Sequence, residues 1–236
     1  ELLASYNKVD IMLDAFPISG STISFDSSYM GGTGAQTVVM TGDTDSGDTI
    51  TNSAGVTLTV IANTADLQGA NTTTITTGAV DLTDELILTM TGAGDFGTQV
   101  TGFDKITISD AVAGNTASTL DIGAYATALT IDASALDATD AALTITGTNA
   151  TKSITYTGGA GADIVVGGTV GDNLSGGAGI DSLTGTAGNN TIDGGDGNDT
   201  IVIGSGIDNV DGGAGNDILY ASAGDNTLDG GTGADT

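Results

Sequence analysis

Cysteine is absent from this chain of 236 residues, so neither a disulfide framework nor a thiolate metal site can hold it together. Histidine is absent too, which removes His-based triads, zinc sites of the H-E-x-x-H type and imidazole acid–base chemistry. There is no tryptophan, and aromatics make up 4% of the residues, too few for a large aromatic-centred core. Three basic residues, Lys8, Lys105 and Lys152, stand against 30 acidic ones, for a formal net charge of -27. Nucleic acid and anionic membrane surfaces both require Lys and Arg, and are excluded as partners. No apolar run approaches the roughly 18 residues of a membrane span, and no secretory leader is visible. The sequence opens at Glu1 and stops inside a repeat at Thr236, so it is expected to belong to a longer polypeptide, and missing targeting signals carry little weight.

What the chain has in excess is glycine, 39 residues, and aspartate; among the acids only Glu1 and Glu85 are not Asp. So much glycine calls first for a test of repetition. A charge of this size opposes compaction unless something neutralises it, and Asp carboxylates with backbone carbonyls are the oxygen ligands that calcium prefers. A disordered acidic tail is the bland alternative, but regularly spaced Val, Ile and Leu argue against it.

From Gly158 onward the chain can be cut every nine residues without a gap: GGAGADIVV, GGTVGDNLS, GGAGIDSLT, GTAGNNTID, GGDGNDTIV, IGSGIDNVD, GGAGNDILY, ASAGDNTLD and a truncated GGTGADT. This is the pattern G-G-x-G-x-D-x-U-x of calcium-binding β-helices. The eighth position is always aliphatic: Val165, Leu174, Leu183, Ile192, Ile201, Val210, Leu219 and Leu228. Glycines bend the first half of each repeat, and the last three residues form a short strand with one aliphatic side chain inward. Two repeats then make a coil, and coils stack their strands in parallel about 4.8 Å apart.

A second period sits on the first. Repeats starting at 158, 176, 194, 212 and 230 keep every Gly and the Asp, whereas those starting at 167, 185, 203 and 221 break the consensus. With two repeats per coil, perfect turns fall on one edge and degenerate turns on the other. The strong edge then carries the sixth-position column Asp163, Asp181, Asp199, Asp217 and Asp235, and the weak edge carries Asp172, Asn190, Asp208 and Asn226. Neighbouring carboxylates about 4.8 Å apart repel by roughly 3 to 4 kcal/mol at an effective dielectric of about 20, so the strong column needs cations between its members.

Residues 158–236 resemble the repeats-in-toxin (RTX, hemolysin-type) family of secreted calcium-binding proteins. The resemblance implies Ca2+ between successive turns on one edge, held by carbonyls of the second and fourth positions of one turn, carbonyls of the first and third positions of the next, and both sixth-position Asp side chains. Carried over by position, the first site would use Gly159, Gly161 and Asp163 with Gly176, Ala178 and Asp181. The second would use Gly177, Gly179 and Asp181 with Gly194, Asp196 and Asp199, and the third Gly195, Gly197 and Asp199 with Gly212, Ala214 and Asp217. The fourth would use Gly213, Gly215 and Asp217 with Gly230, Thr232 and Asp235. Departures at Val170, Thr186, Ile203 and Ser222 weaken the other edge.

The expected fold is all-β, a right-handed parallel β-solenoid ending in the calcium-bound roll, with a short N-terminal helix. Three regions are expected: a helix or cap at 1–30, an irregular solenoid with degenerate repeats at 31–157, and the nonapeptide roll at 158–236. Upstream strands alternate at Ile106 and Ile108, Leu120 and Ile122, Leu129 and Ile131, Leu143 and Ile145, and Ile154 and Tyr156. The spacing from Ile106 to Leu129 and from Leu120 to Leu143 predicts coils of 23 residues. Segment 31–39 (GGTGAQTVV) reads as a worn repeat with Gln36 in place of Asp, 47–51 (GDTIT) as another, and 86–90 (LILTM) as a buried strand. Residues 42–48 transpose the Gly of an EF-hand loop and lack its flanking helices. Leu2, Tyr6, Val9, Leu13 and Phe16, followed by Pro17, predict an amphipathic helix over 2–15 that caps the solenoid's open end.

Paired carboxylates alone do not make a glycosidase, and nothing else here suggests an enzyme. Three function classes are weighed. In the first, the chain is an extracellular structural protein: VTGFDKITISD at 100–110 and its surroundings resemble regions preceding calcium repeats in bacterial surface-layer proteins, which implies a cell-surface location and self-assembly with copies of itself or attachment to a cell-surface glycan. In the second, it is the secretion and folding module of a larger RTX enzyme or toxin; the family's association with type I secretion implies an export signal not seen here. In the third, NTTTITT at 71–77 suggests ice binding, but a single Thr-rich strand without stacked copies is a poor ladder.

Overall fold

The structure, a computed structural model, describes residues 150–236 throughout; before them it describes the strands, together with residues 84–90, 103–110, 118–122, 128–139 and 142–148. The chain is all-β. Its strands form an eleven-stranded sheet on one side and, on the other, a four-stranded sheet followed by a six-stranded one. Every pairing is parallel and joins alternate strands, so each coil gives one strand to each side of a β-solenoid.

Through the roll the register advances by 18: Tyr156 pairs with Leu174, Leu174 with Ile192, Ile192 with Val210 and Val210 with Leu228 on one side. On the other, Val165 pairs with Leu183, Leu183 with Ile201 and Ile201 with Leu219. These eighth-position side chains are the core. Val165, Leu174, Leu183, Ile192, Ile201 and Val210 are buried, while Leu219 is half-buried and Leu228 exposed in the last coil. Each buried aliphatic contributes about 1.5 to 3 kcal/mol. The core is thus two aliphatic ladders one side chain thick.

The same ladders run upstream through Leu86, Leu88, Ile106, Ile108, Leu120, Ile122, Leu129, Ile131, Leu143, Ile145, Ile154 and Tyr156, all buried. The strand expected at 86–90 spans Glu85–Met90, with Leu86 and Leu88 inward. Coil length differs from the expectation of 23: Ile106 pairs with Ile131 and Leu120 with Ile145, a step of 25 in both cases. The error is a slip of two residues. Side chains alternate with period two, so such a slip keeps every inward residue inward and is invisible to the hydrophobic pattern.

The N-terminal expectation requires a larger correction. Residues 10–14 of the predicted helix form the strand Asp10–Asp14, paired in parallel with Gln36–Thr41 through Ile11 to Val38 and Leu13 to Met40. Ile11 and Leu13 satisfy a strand's alternation as well as Val9, Leu13 and Phe16 satisfy a helix's period, and joining the sheet gives the backbone a ladder of partners. Residues 2–9 and 15, like segments 31–35 and 42–48 of the worn repeats and the EF-hand-like stretch, lie outside the described residues. Strand Thr74–Thr76 does have stacked copies, since Thr49 pairs with Thr74 and Thr51 with Thr76. Among the described residues no helix is long and apolar enough to cross a membrane.

Candidate metal centre

The turns between strands are held one above another by backbone hydrogen bonds along the roll. On the strong edge the third-position N–H donates to the second-position carbonyl of the preceding coil: Ala178 to Gly159 at 2.8 Å, Ala214 to Gly195 at 2.7 Å, Thr232 to Gly213 at 2.8 Å. The fourth-position N–H donates to the third-position carbonyl of the following coil, as Gly179 does to Asp196 and Gly197 to Ala214, both at 2.7 Å. So close a stack requires glycine. Gly195 has φ 100°, and a Cβ there would collide with the Gly177 carbonyl oxygen.

The two edges differ in backbone as well as sequence. In the turns starting at 176, 194, 212 and 230 both the second and fourth glycines are left-handed: Gly177 and Gly179, Gly195 and Gly197, Gly213 and Gly215, Gly231 and Gly233. On the weak edge only fourth-position glycines are, Gly188, Gly206 and Gly224. There the second position carries a hydroxyl in two turns, and it takes up the carbonyl below: Thr186 Oγ1 donates to the Gly168 carbonyl and Ser222 Oγ to that of Gly204.

The sixth-position side chains point inward. Asp163, Asp181, Asp199 and Asp217 stack in one buried column, and Asp172, Asn190 and Asp208 in the other. Each Oδ1 accepts the backbone N–H of its counterpart one coil earlier: Asp163 N–H to Asp181 at 2.7 Å, Asp181 to Asp199 and Asp199 to Asp217 at 2.8 Å, and Asp217 to Asp235 at 3.0 Å. The weak edge repeats this with Asp172 N–H to Asn190 at 2.9 Å, Asn190 to Asp208 at 2.8 Å and Asp208 to Asn226 at 2.9 Å. One amide or carboxylate oxygen suffices for that bond, which is why Asn can replace Asp. This inter-coil ladder was not legible in the sequence; the 18-residue recurrence of Asp or Asn was its only trace.

The second carboxylate oxygen is left without a donor at three strong-edge positions and at one on the weak edge. Oδ2 of Asp181, Asp199 and Asp217 is buried without a hydrogen-bond partner, as is Oδ2 of Asp208 on the weak edge. An unpaired buried charge is costly. Burial raises the carboxyls of Asp163, Asp172 and Asp199, and Asp181 is pushed up to about 7 by burial, with the Asp163 and Asp199 charges adding to it. A column of ionised oxygens that lack donors and are lined by carbonyls fits a hard divalent cation, whose charge reverses each of these penalties. Among the described residues no three acidic side chains converge on one point, so a cation here draws on two carboxylates and otherwise on backbone carbonyls.

The structure brings together most of the sequence-derived site residues. Ala178, Asp196, Ala214 and Thr232 align at the third position of successive turns, beside the Asp column. Asp163 differs from its neighbours: its Oδ2 accepts a hydrogen bond from the Tyr156 hydroxyl at 2.7 Å and its Oδ1 one from the Leu143 N–H at 3.1 Å. On the weak edge both oxygens of Asp172 are likewise taken, by the N–H groups of Ile154 and Gly168.

A family model for the RTX calcium-binding nonapeptide repeat matches the chain in four copies, at residues 157–174, 166–201, 175–208 and 202–236. No curated protein and no solved structure matches the chain significantly. Such repeats are structural modules, not catalytic ones. Their nine-residue phase, their two-strand coils and their columns of buried, donor-free carboxylates are all present here, and residues 157–236 are RTX calcium-binding repeats of the hemolysin type, which bind Ca2+.

Proposed function

We propose that this is an extracellular, non-enzymatic structural protein of the surface-layer or adhesin kind, whose roll folds on calcium after export and whose folded form associates with copies of itself. The observation that carries the calcium switch is the strong-edge column, in which Asp181, Asp199 and Asp217 each bury an oxygen to which no group of the chain donates. Where free calcium is low these carboxylates oppose folding, and the chain stays extended enough to pass a narrow export channel. At millimolar calcium the carbonyls of Gly177, Gly179, Gly195, Gly197, Gly213 and Gly215 and the facing turns complete the coordination, and binding free energy becomes folding free energy. In this reading residues 31–157 are the scaffold and residues 158–236 the switch.

The outer faces of the roll support assembly. Facing outward from the six-stranded sheet are Ile164, Thr184, Thr200, Val202, Ile218 and Tyr220, none of them charged. The opposite face carries Asp193, Asp211 and Asp229 in register. Two copies, each with a net charge of -27, repel except where such an uncharged strip lets them meet. The test is hydrogen exchange in chelator and light scattering at millimolar calcium on the full-length protein. Loss of protection across the later coils of the roll, from Leu183 onward, before the upstream strands, with calcium-dependent growth in particle size, is expected. Unchanged protection would sink the switch, and a strictly monomeric particle would favour the module of a larger RTX enzyme or toxin.

A further inference from the structure

We propose that the strong-edge calcium column begins at Asp181, and that the Tyr156 hydroxyl takes the cation's place at Asp163. The proposal rests on the calcium reading above and refines it, because repeat 158–166 (GGAGADIVV) matches the consensus at every position and the sequence gives no reason to set it apart.

Two independent observations do set it apart. The first is the partner of the carboxylate. Tyr156 occupies, in register, the core position filled by Leu174, Ile192 and Val210 in the next three coils. Those hydrocarbon side chains offer nothing to the Asp above them, and Oδ2 of Asp181, Asp199 and Asp217 is left without a donor. Tyr156 is 1% exposed and Asp163 2%, and the phenol closes the same oxygen at 2.7 Å. With Leu143 N–H on Oδ1, Asp163 has both oxygens served by the protein.

The second is the backbone. The four later perfect turns all place their second and fourth glycines in the left-handed region, but neither Gly159 nor Gly161 is there. Like the later turns, this one is tied to the preceding coil, with Ala160 N–H donating to the Leu136 carbonyl at 2.9 Å, but that coil lies before the nonapeptide phase begins. The Gly159 carbonyl still accepts the Ala178 N–H as its equivalents do in later turns, so what this turn withdraws from a cation is its carboxylate, and the set drawn from Gly159, Gly161 and Asp163 with Gly176, Ala178 and Asp181 is not a calcium site. Asp181 then serves one ion, shared with Asp199, while Asp199 and Asp217 each serve two. The first coil of the roll closes without metal and gives the calcium-bound coils a folded surface on which to build.

The experiment counts calcium ions per chain by equilibrium dialysis, with calorimetry for affinity, on the parent, Asp163→Asn, Asp181→Asn and Tyr156→Phe. Asn at 163 can keep Oδ1 as acceptor for the Leu143 N–H, as Asn190 and Asn226 keep theirs on the other edge, and can turn its Nδ2 to donate to the Tyr156 hydroxyl oxygen. Asp163→Asn should keep the parent's count and its half-saturation within about twofold, whereas Asp181→Asn should lose one ion or weaken it at least about tenfold. In chelator, Tyr156→Phe should speed amide exchange at Asp163 and Ser182, whose N–H donates to the Asp163 carbonyl. An ion lost in Asp163→Asn, or unchanged exchange in Tyr156→Phe, overturns the assignment. A parent that takes up no calcium overturns the calcium reading itself, and this inference with it.

Discussion

Replacing Asp199 with Asn isolates what the metal contributes from what the fold contributes. Asp199 is the middle of the strong column: its Oδ1 accepts the Asp181 N–H at 2.8 Å, and its Oδ2 is buried without a partner. Alanine would remove both functions at once and leave the Asp181 amide unsatisfied, at a cost of about 1 to 3 kcal/mol even without calcium. Asparagine keeps the acceptor and deletes only the charge. In chelator the change should be neutral or slightly stabilising, since one of three adjacent unpaired carboxylates is relieved. With calcium it weakens two adjacent sites. A tenfold loss at each is about 1.4 kcal/mol per site, or roughly 2.8 kcal/mol of linked folding energy. Spread over three ions that bind together, a combined loss of about a hundredfold moves the calcium concentration for half-folding by about fivefold. Circular dichroism against calcium activity reads this directly, with Asn190→Ala as the control that removes weak-edge hydrogen bonds to Asp172, Gly188 and Asp208 but no strong-column carboxylate. A half-folding concentration within twofold of the parent, or an equal loss of stability in chelator, would refute the cation's place in this column.

The acid response should run opposite to that of most acidic proteins. Burial raises Asp163, Asp172 and Asp199, and Asp181 reaches about 7, whereas an unfolded Asp ionises near ~3.9. The folded, calcium-free roll therefore holds protons that the unfolded chain has released. Its stability is greatest below about pH 4 and is lost as pH rises toward 7, which thermal melts in chelator across that range will check. Gly195→Ala puts a side chain at φ 100° against the Gly177 carbonyl and should cost more than about 1 kcal/mol. Ser222→Ala, on an exposed weak-edge turn, should cost clearly less, and melts of both in saturating calcium give the comparison.

The roll was legible because its physics is local and repeated: glycine where the chain bends, one aliphatic residue where it turns inward, and Asp or Asn between them, eight times over. The alternation at Ile106, Ile108, Leu129 and Ile131 likewise identified the upstream strands. Their pairing was not legible, because a two-residue slip leaves the burial of Leu120 and Ile145 unchanged, and only loop geometry chooses 25 over 23. Residues 10–14 failed for a different reason. Leu13 fits a helix's period with Val9 and Phe16 and a strand's alternation with Ile11, and the choice was made by the neighbouring strand Gln36–Thr41, which no window of local sequence contains. In the site, the residue types and columns were readable, but the division of labour between Oδ1 and Oδ2 was not. Nor was the reach of the Tyr156 hydroxyl to Asp163, since a tyrosine at a core position reads simply as bulk.

The Oδ1 ladder constrains how such a chain can change its length over evolutionary time. Each sixth-position residue closes the amide of the residue 18 before it, so a coil is a complete unit with one acceptor to give and one amide to be closed. Duplicating or deleting 18 residues within the array returns every acceptor to an amide and every strand to its own sheet. Duplicating or deleting nine does not: it carries the perfect turns to the opposite edge from that point on, and sets the apolar outer strip of one part of the roll in line with the acidic strip of the other. Copy number in this protein is therefore free to drift in pairs of repeats, and the parity of the count is inherited as strictly as any single residue.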